Sequence, residues 1–454
     1  MNVLLLGNGF DLNCGLPTKY INFLQIVDFL DRHREKVKEY RSVGGLFKSM
    51  LEENIESSVG SLYNTDNKEL ANIYDTITLN NKDVQCILEI KSKDIVKDVT
   101  NNLWFKYFSK SYLTDLNWVD FEKEMEQVLI DLNRYKIVIT SNNMDDIIKY
   151  GNPKHLDDQI IQPPECRRIV TELKQFDIPL LCTKYSDYTQ IRTLIGREFN
   201  PKQYLDKNEN IQWHDIYEHL EQDRLDFVHA FKNYLTYFVE KISDNQAFIA
   251  YANKKSAFLS EFGLSDIVIN FNYTKTFEKL TLRLFENNWQ QIDPSKYHIR
   301  CFHIHGRVDG ENIVMGIKPN DDGIEPLYFQ KDVQRFRYGT NSDCIAWLRS
   351  IDKVSVKKLT VMGCSLDVTD GDIIKKLFYK SQLIKLVYYA DDDALYCKNI
   401  KSILGTDGLE KLQERFVFKN ISDCQAEYSN STHRNYVEYI PGHSGQQPKI
   451  TYYG

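Results

Sequence analysis

The chain opens on an apolar run, Val3-Leu4-Leu5-Leu6, that stops at Gly7-Asn8-Gly9. A short run that is apolar at every position suits a strand buried on both faces, and such strands belong to parallel sheets covered by helices. Parallel strands need long crossovers, so further strand–helix units must follow. They do, but only after residue 260. Residues 267–271 (Ile-Val-Ile-Asn-Phe) are rich in strand formers and precede a helix over 275–286. Residues 298–305 read as another strand, 359–362 as one that runs into Gly363, and 384–389 as a further one. Helices are expected from near Asp370 and over 394–404. In between, residues 20–30 have helical spacing. From residue 31 to 259 the chain is charged, rich in Asn and Lys, and mostly helical. Amphipathic stretches cover 120–132 and 226–242, and loops or short helices cover 151–164 and 185–213. The expected fold is α/β: a Rossmann-like parallel sheet from 1–30 and 260–410, interrupted by a large, mostly helical insertion over 31–259. A C-terminal extension over 411–454 is irregular from Tyr439.

The formal net charge of −7 argues against broad electrostatic binding to nucleic acid, which needs a basic face. No apolar run approaches the roughly 20 residues of a membrane span. The first strand is too short for a signal peptide and lacks a basic flank, so a cytoplasmic location and no membrane partner are expected. The nine cysteines are widely spaced with no C-x-x-C, which argues against a disulfide framework and a four-cysteine zinc site. No metal is expected.

Four motifs carry chemistry. In Gly7-Asn8-Gly9-Phe10-Asp11-Leu12, glycines at a strand end let a phosphate approach the backbone ahead of a helix. Leu12 occupies the third glycine position of G-x-G-x-x-G, so a tight turn without ligand stays open. Gly15-Leu16-Pro17-Thr18 follows. In Asn270-Phe271-Asn272-Tyr273-Thr274, the Asn272 amide can bond ribose hydroxyls and hold a water, or cap the next helix. In His303-Ile304-His305-Gly306, alternation puts both histidines on one face. His305 suits a general base and His303 a structural role. Gly363-Cys364-Ser365-Leu366 ends a later strand, and Asp370 and Asp372 behind it read as caps or as ribose partners. All four lie where open α/β sheets bind ligands, at the carboxyl ends of strands.

Taken in order, these motifs resemble the sirtuin family. Its first loop, G-A-G-I-S and then G-I-P-D-F, puts Gly7, Gly9, Gly15 and Pro17 in register. Asp11 stands where sirtuins have Ser, and Thr18-Lys19-Tyr20 replaces Asp-Phe-Arg. Asn272 matches the asparagine of T-Q-N-I-D, with Thr274 in place of the aspartate. His305-Gly306 matches the sirtuin general base. Gly363-Cys364-Ser365-Leu366 resembles the G-T-S-L segment that supports the NAD phosphates and adenosine ribose. The resemblance implies NAD as substrate or ligand, with Asn272 placing water and ribose, His305 as base and Asp11 orienting either one. It implies Gly7, Asn8, Gly9, Phe10, Gly15, Pro17, Thr274, Gly363, Ser365 and Asp370 as the nucleotide lining. The cysteine ribbon of sirtuin deacetylases is missing, which turns the expectation from deacetylation to hydrolysis of NAD.

A second resemblance is closer. G-N-G-F-D-L and G-L-P-T, Trp118-Val119-Asp120-Phe121-Glu122, N-F-N-Y-T, H-x-H-G and G-x-S-L-x-x-x-D look like the bacteriophage abortive-infection AbiH family, over residues 2 to about 400. That resemblance implies anti-phage defence. Asp120 and Glu122 are not on one helix face; they read as an acidic first turn or as a ribose contact. The expected function is binding of NAD and its hydrolysis to nicotinamide and ADP-ribose. Two other readings stay open: a non-catalytic NAD or ADP-ribose sensor, favoured by Thr274, and a nuclease or phage-protein-binding effector on the same fold. A phage-derived trigger or partner protein, and a homo-oligomer formed through the insertion, are further expectations.

Overall fold

The central element is β1 (Asn2–Leu6), and the first residues of the chain therefore form the middle of the sheet. In a computed structural model of the protein, seven strands form one parallel sheet in the order β8-β7-β6-β1-β4-β5-β9. Here β4 is Ile267–Asn270, β5 Ile299–His303, β6 Val356–Met362, β7 Ser381–Tyr388, β8 Phe416–Asn420 and β9 Ile450–Tyr453. A separate two-stranded sheet pairs β2 (Glu89–Ser92) with β3 (Ile95–Asp98). The structure describes residues 1–53, 63, 67–92, 95–112, 121–140, 172, 175–176, 178, 204, 207, 211–255, 265–287, 299–318, 326–352, 354–388, 393–424 and 450–453.

Counted along the chain, the large sheet has the doubly wound Rossmann order 3-2-1-4-5-6, with a seventh strand added beside the third. From β1 the sheet grows one way through β4 and β5. It then restarts on the other side of β1 with β6, β7 and β8. The order reverses between β1 and β6, which pair from Asn2↔Lys358 to Leu6↔Met362.

The apolar runs explain the strand placement. Val3 to Leu6 and Ile267 to Ile269 are buried, as a strand covered on both faces requires. On one face, Val3, Leu5, Ile269, Phe302 and Val361 pack against Ile373, Leu377 and Phe378 of the helix Gly371–Lys380. Burying each such side chain contributes roughly 1.5–3 kcal/mol.

The chain divides into two compact units. The first comprises residues 1–89, 230–315 and 331–454 and holds the large sheet. Within it the helix Tyr20–Arg32 seats Phe23 against Phe231 and Tyr234, with ring centroids 5.4 Å apart in both pairs. The second comprises residues 90–229 and 316–330. It is built on an aromatic core in which Trp104, Phe108, Phe121, Phe227 and Phe329 are all buried. The insertion is mostly helical among the described residues; its helices include Val43–Glu52, Lys68–Thr76, Asn81–Leu88, Leu103–Tyr112, Phe121–Thr140 and Trp213–Tyr234. Among the described residues no helix is long and apolar enough to cross a membrane.

The tail differs from its sequence reading. Residues 450–453 are not irregular but form β9, which pairs with β5 from Ile299↔Ile450 to Phe302↔Tyr453. Four residues are too few for a periodic signal, and only the open edge of β5 makes them a strand. The loops or short helices read over 151–164 and over most of 185–213 lie outside the described residues, as do Trp118 and Asp120. Glu122 sits in the first turn of Phe121–Thr140 with Glu124, the acidic-first-turn arrangement.

Candidate functional site

Three groups of residues gather beyond the carboxyl ends of β1, β4, β5 and β6, all within the first unit. The first group is glycine backbone. β1 delivers the chain to Gly7, where the helix Asn8–Cys14 begins. β6 delivers it to Gly363, which has a left-handed φ of 63°. Gly7 N donates to the Met362 carbonyl at 3.1 Å and Gly9 N to the Gly363 carbonyl at 2.7 Å. A Cβ on Gly7 would stand 2.5 Å from Cys364 Cα, and one on Gly9 2.7 Å from Gly363 Cα. These glycines therefore let the two loops at the reversal point interlock. A side chain at Gly363 would meet the Phe10 amide as well as strain the backbone. Gly363→Ala should cost about 3 kcal/mol. Denaturant unfolding reads this, and a loss below about 0.5 kcal/mol would show that the loops separate easily.

The remaining first-loop residues have distinct roles. Asn8 is exposed and holds the loop ahead: its amide donates to the Thr18 carbonyl at 3.2 Å, and the Thr18 hydroxyl donates back at 2.5 Å. Phe10 is buried edge-on against Phe277. Gly15 ends the short helix in a left-handed conformation, and its carbonyl accepts from the Tyr74 hydroxyl. The Pro17 carbonyl accepts from the Tyr234 hydroxyl at 2.7 Å. Ser365 is exposed, with its carbonyl held by Asn399 at 2.8 Å.

The second group joins β1 to β4. Asp11 is 1% exposed, and its Oδ2 accepts from the Thr274 hydroxyl at 2.6 Å. Thr276 donates in turn to Thr274 at 3.1 Å. Burial pushes the Asp11 carboxyl up to about 7; the threonine hydroxyls oppose the rise, while Glu240 and Glu278 add to it. Its Oδ1 is buried without a partner. Beside it, Asn270 Oδ1 accepts from the Asn272 amide nitrogen at 3.0 Å, a local turn that ends β4. The Asn272 side chain caps nothing. Its Nδ2 and Oδ1 are both buried and unpartnered.

The third group lies between β5 and the helices that follow. β5 ends at His303, so strand alternation no longer governs His305 and the two histidines take different partners. His303 Nε2 lies 2.5 Å from Glu278 Oε1, and its Nδ1 lies 3.3 Å from the Asn272 carbonyl. His305 Nε2 lies 2.8 Å from Asp370 Oδ1, with the rings of Phe271 and Tyr273 at centroid distances of 5.1 and 6.0 Å. Asp370 also accepts from Lys331 Nζ at 3.3 Å and Arg335 at 3.1 Å. Arg335 reaches on to Asp372 at 3.0 Å. Asp370 therefore neither caps its helix nor stands free; it neutralises two buried cations. Burial works against its charge, but the His305 ring, Lys331 and Arg335 outweigh burial and hold the carboxyl far below the usual range. Burial lowers the basicity of His305 despite Asp370, with Lys331 and Arg335 adding to the effect. The ring is thus neutral beside an ionised carboxylate, so its Nε2–H donates and Nδ1 is left as the acceptor.

Lys331, Arg335 and Glu278 had no sequence signal. Both cations of Lys331-Asp332-Val333-Gln334-Arg335 are buried by the fold. None of the seven cysteines among the described residues is in a disulfide.

Together these features define a doubly wound α/β protein with a buried polar cluster at the point where its strand order reverses. The family described as bacteriophage abortive infection AbiH matches residues 3–389. The chain belongs to that family, which supports a role in bacterial anti-phage defence. No curated protein and no solved structure matches it.

Proposed function

We propose that the chain binds NAD beyond the carboxyl ends of β1, β4, β5 and β6 and hydrolyses it to nicotinamide and ADP-ribose during abortive infection. One observation carries the reading: the Asn272 amide, at the end of β4, is buried with both polar atoms unpartnered. Buried amides are rarely left so, because each orphaned group costs about 1–3 kcal/mol. Such a group at the mouth of a doubly wound sheet suits a ligand hydroxyl or a water. The Asp11–Thr274 pair supports the same reading. The sirtuin resemblance expects a hydroxyl at 11 and a carboxylate at 274; this chain has the two exchanged and hydrogen-bonded to each other.

In the proposed reaction the N-glycosidic bond breaks and nicotinamide leaves neutral, while positive charge develops on the ribose. Asn272 places the attacking water. His305 takes its proton on Nδ1, with Asp370 fixing the tautomer through Nε2. Asp11 orients the ribose. The burial of Asp11, Asn272 and His305 supports a closed resting form that a trigger opens. The presence of Thr274 where a carboxylate is expected favours a second reading, binding of NAD without turnover.

Cellular NAD after induction, with and without phage, tests the proposal. NAD should fall in the wild type with a matching rise in nicotinamide, and Asn272→Ala and His305→Ala should each slow the loss about 100-fold or more. Steady NAD alongside intact phage protection would remove hydrolysis. Calorimetric binding of NAD by the purified chain would then establish the sensor reading.

A further inference from the structure

We propose that Glu278, Cys301 and His303 form a binding site for a divalent transition ion of the zinc class, between β5 and the helix Thr276–Asn287. The three are fully or nearly fully buried, and one ligand atom from each lies within 4.8 Å of the others. Their convergence follows from the fold. Cys301 and His303 are two apart on β5 and so point to the same face. Glu278 descends to that face from the first turn of its helix.

The distances suit the ion. Cys301 Sγ is 3.6 Å from His303 Nε2 and 3.7 Å from Glu278 Oε1. A tetrahedral zinc about 2.3 Å from sulfur and about 2.0 Å from nitrogen or oxygen spaces such ligand pairs by about 3.6 Å. The third edge, His303 Nε2 to Glu278 Oε1, is a 2.5 Å hydrogen bond. An ion would open it by about 1 Å. Glu278 has a second acceptor to offer the ion, since its Oε2 is buried and unpartnered. The His303 Nδ1 faces the Asn272 carbonyl at 3.3 Å. That acceptor holds the proton on Nδ1 and turns the Nε2 lone pair to the cluster, as the outer partners of metal-bound histidines do. A plain histidine–glutamate pair would leave Oε2 unused and give the Cys301 thiol no role.

A mixed set of thiolate, imidazole and carboxylate favours zinc over magnesium or calcium. Binding releases the thiol proton and the proton shared by His303 and Glu278 to solvent, with no redox change. The ion ties β5 to the helix after β4 and, through His303, to the Asn272 backbone. The proposal stands whether or not the chain acts on NAD.

The test uses the purified full chain. After equilibration with zinc and dialysis, elemental analysis should find about one ion per chain. Exchange for cobalt should produce a thiolate-to-cobalt charge-transfer band. Cys301→Ser should lose that band, and His303→Gln should lower ion content about tenfold or more. Wild-type protein with less than about a tenth of an equivalent of zinc, or with no thiolate band on cobalt loading, would overturn the site. So would an ion content and cobalt spectrum unchanged in both variants. A wild-type chain without the ion or the band overturns the site even where a variant does not fold.

Discussion

Asp370→Asn should destabilise the protein by about 3 kcal/mol at neutral pH, the cost of removing the shared carboxylate from a buried charge cluster. Lys331 and Arg335 are 2% and 0% exposed, and Asp370 is the carboxylate that both of them reach. The Asn variant keeps the shape and removes the charge. Asp372→Asn should cost much less, because that side chain is 34% exposed and, among the described residues, pairs with one cation, Arg335. The pH dependence has a definite sign. A carboxyl depressed in the folded state stabilises above its unfolded value and loses that contribution as the pH falls. The gap between wild type and Asp370→Asn should therefore be full at pH 7 and narrow in acid. Urea unfolding at several pH values measures it. A gap under about 1 kcal/mol at pH 7 would mean that the cations reach water when the carboxylate is lost.

Asp11→Asn should act in the opposite direction. Its carboxyl titrates near 7 in the folded protein against an ordinary value of 3.8. Between those values the folded state binds more protons than the unfolded chain, so stability falls as pH rises from about 4 to about 7. The full difference is at most about 4 kcal/mol. An Asn accepts from Thr274 without this penalty, though its new amide stands where Oδ1 has no partner. The variant should therefore gain about 2–3 kcal/mol at pH 8 and about nothing at pH 4. Equal effects at both pH values would show that Asp11 is not the group that titrates. A gain in stability paired with a loss of NAD turnover would mark Asp11 as a group kept for chemistry at a structural cost.

The sheet was legible where burial on both faces leaves an unbroken apolar run. β1 and β4 announce themselves this way, with Val3 to Leu6 and Ile267 to Ile269 all buried, and β6 does so over its last four residues, Leu359 to Met362. β8 and β9 do not. Both lie at the sheet edges, where β8 is partly exposed and β9 is only four residues long. The candidate site was legible as motifs but not as a network. Asn272, His305 and Asp11 stand in short patterns next to strand ends, which a linear reading can find. Their partners are set by tertiary packing: Asp370 meets His305 across a separation of 65 residues and Glu278 meets His303 across 25. The glycines were read as a cradle for phosphate. The fold gives Gly7, Gly9 and Gly363 a further reason, since the loops after β1 and β6 pass too close for side chains.

The position of β1 governs when the protein can become itself. Its neighbours are β4 and β6, so Leu5 must find Ile269 on one side and Val361 on the other. A ribosome adding about 5–20 residues per second needs on the order of 20–70 s to supply both partners. Asp11 waits for Thr274, which follows β4, and β1 stays open on its other side until Val361 is made. His305 waits longer still, for Asp370, which is made only after β6. A host making this protein is thus shielded, until the last of these partners has been made, from whatever the finished site does.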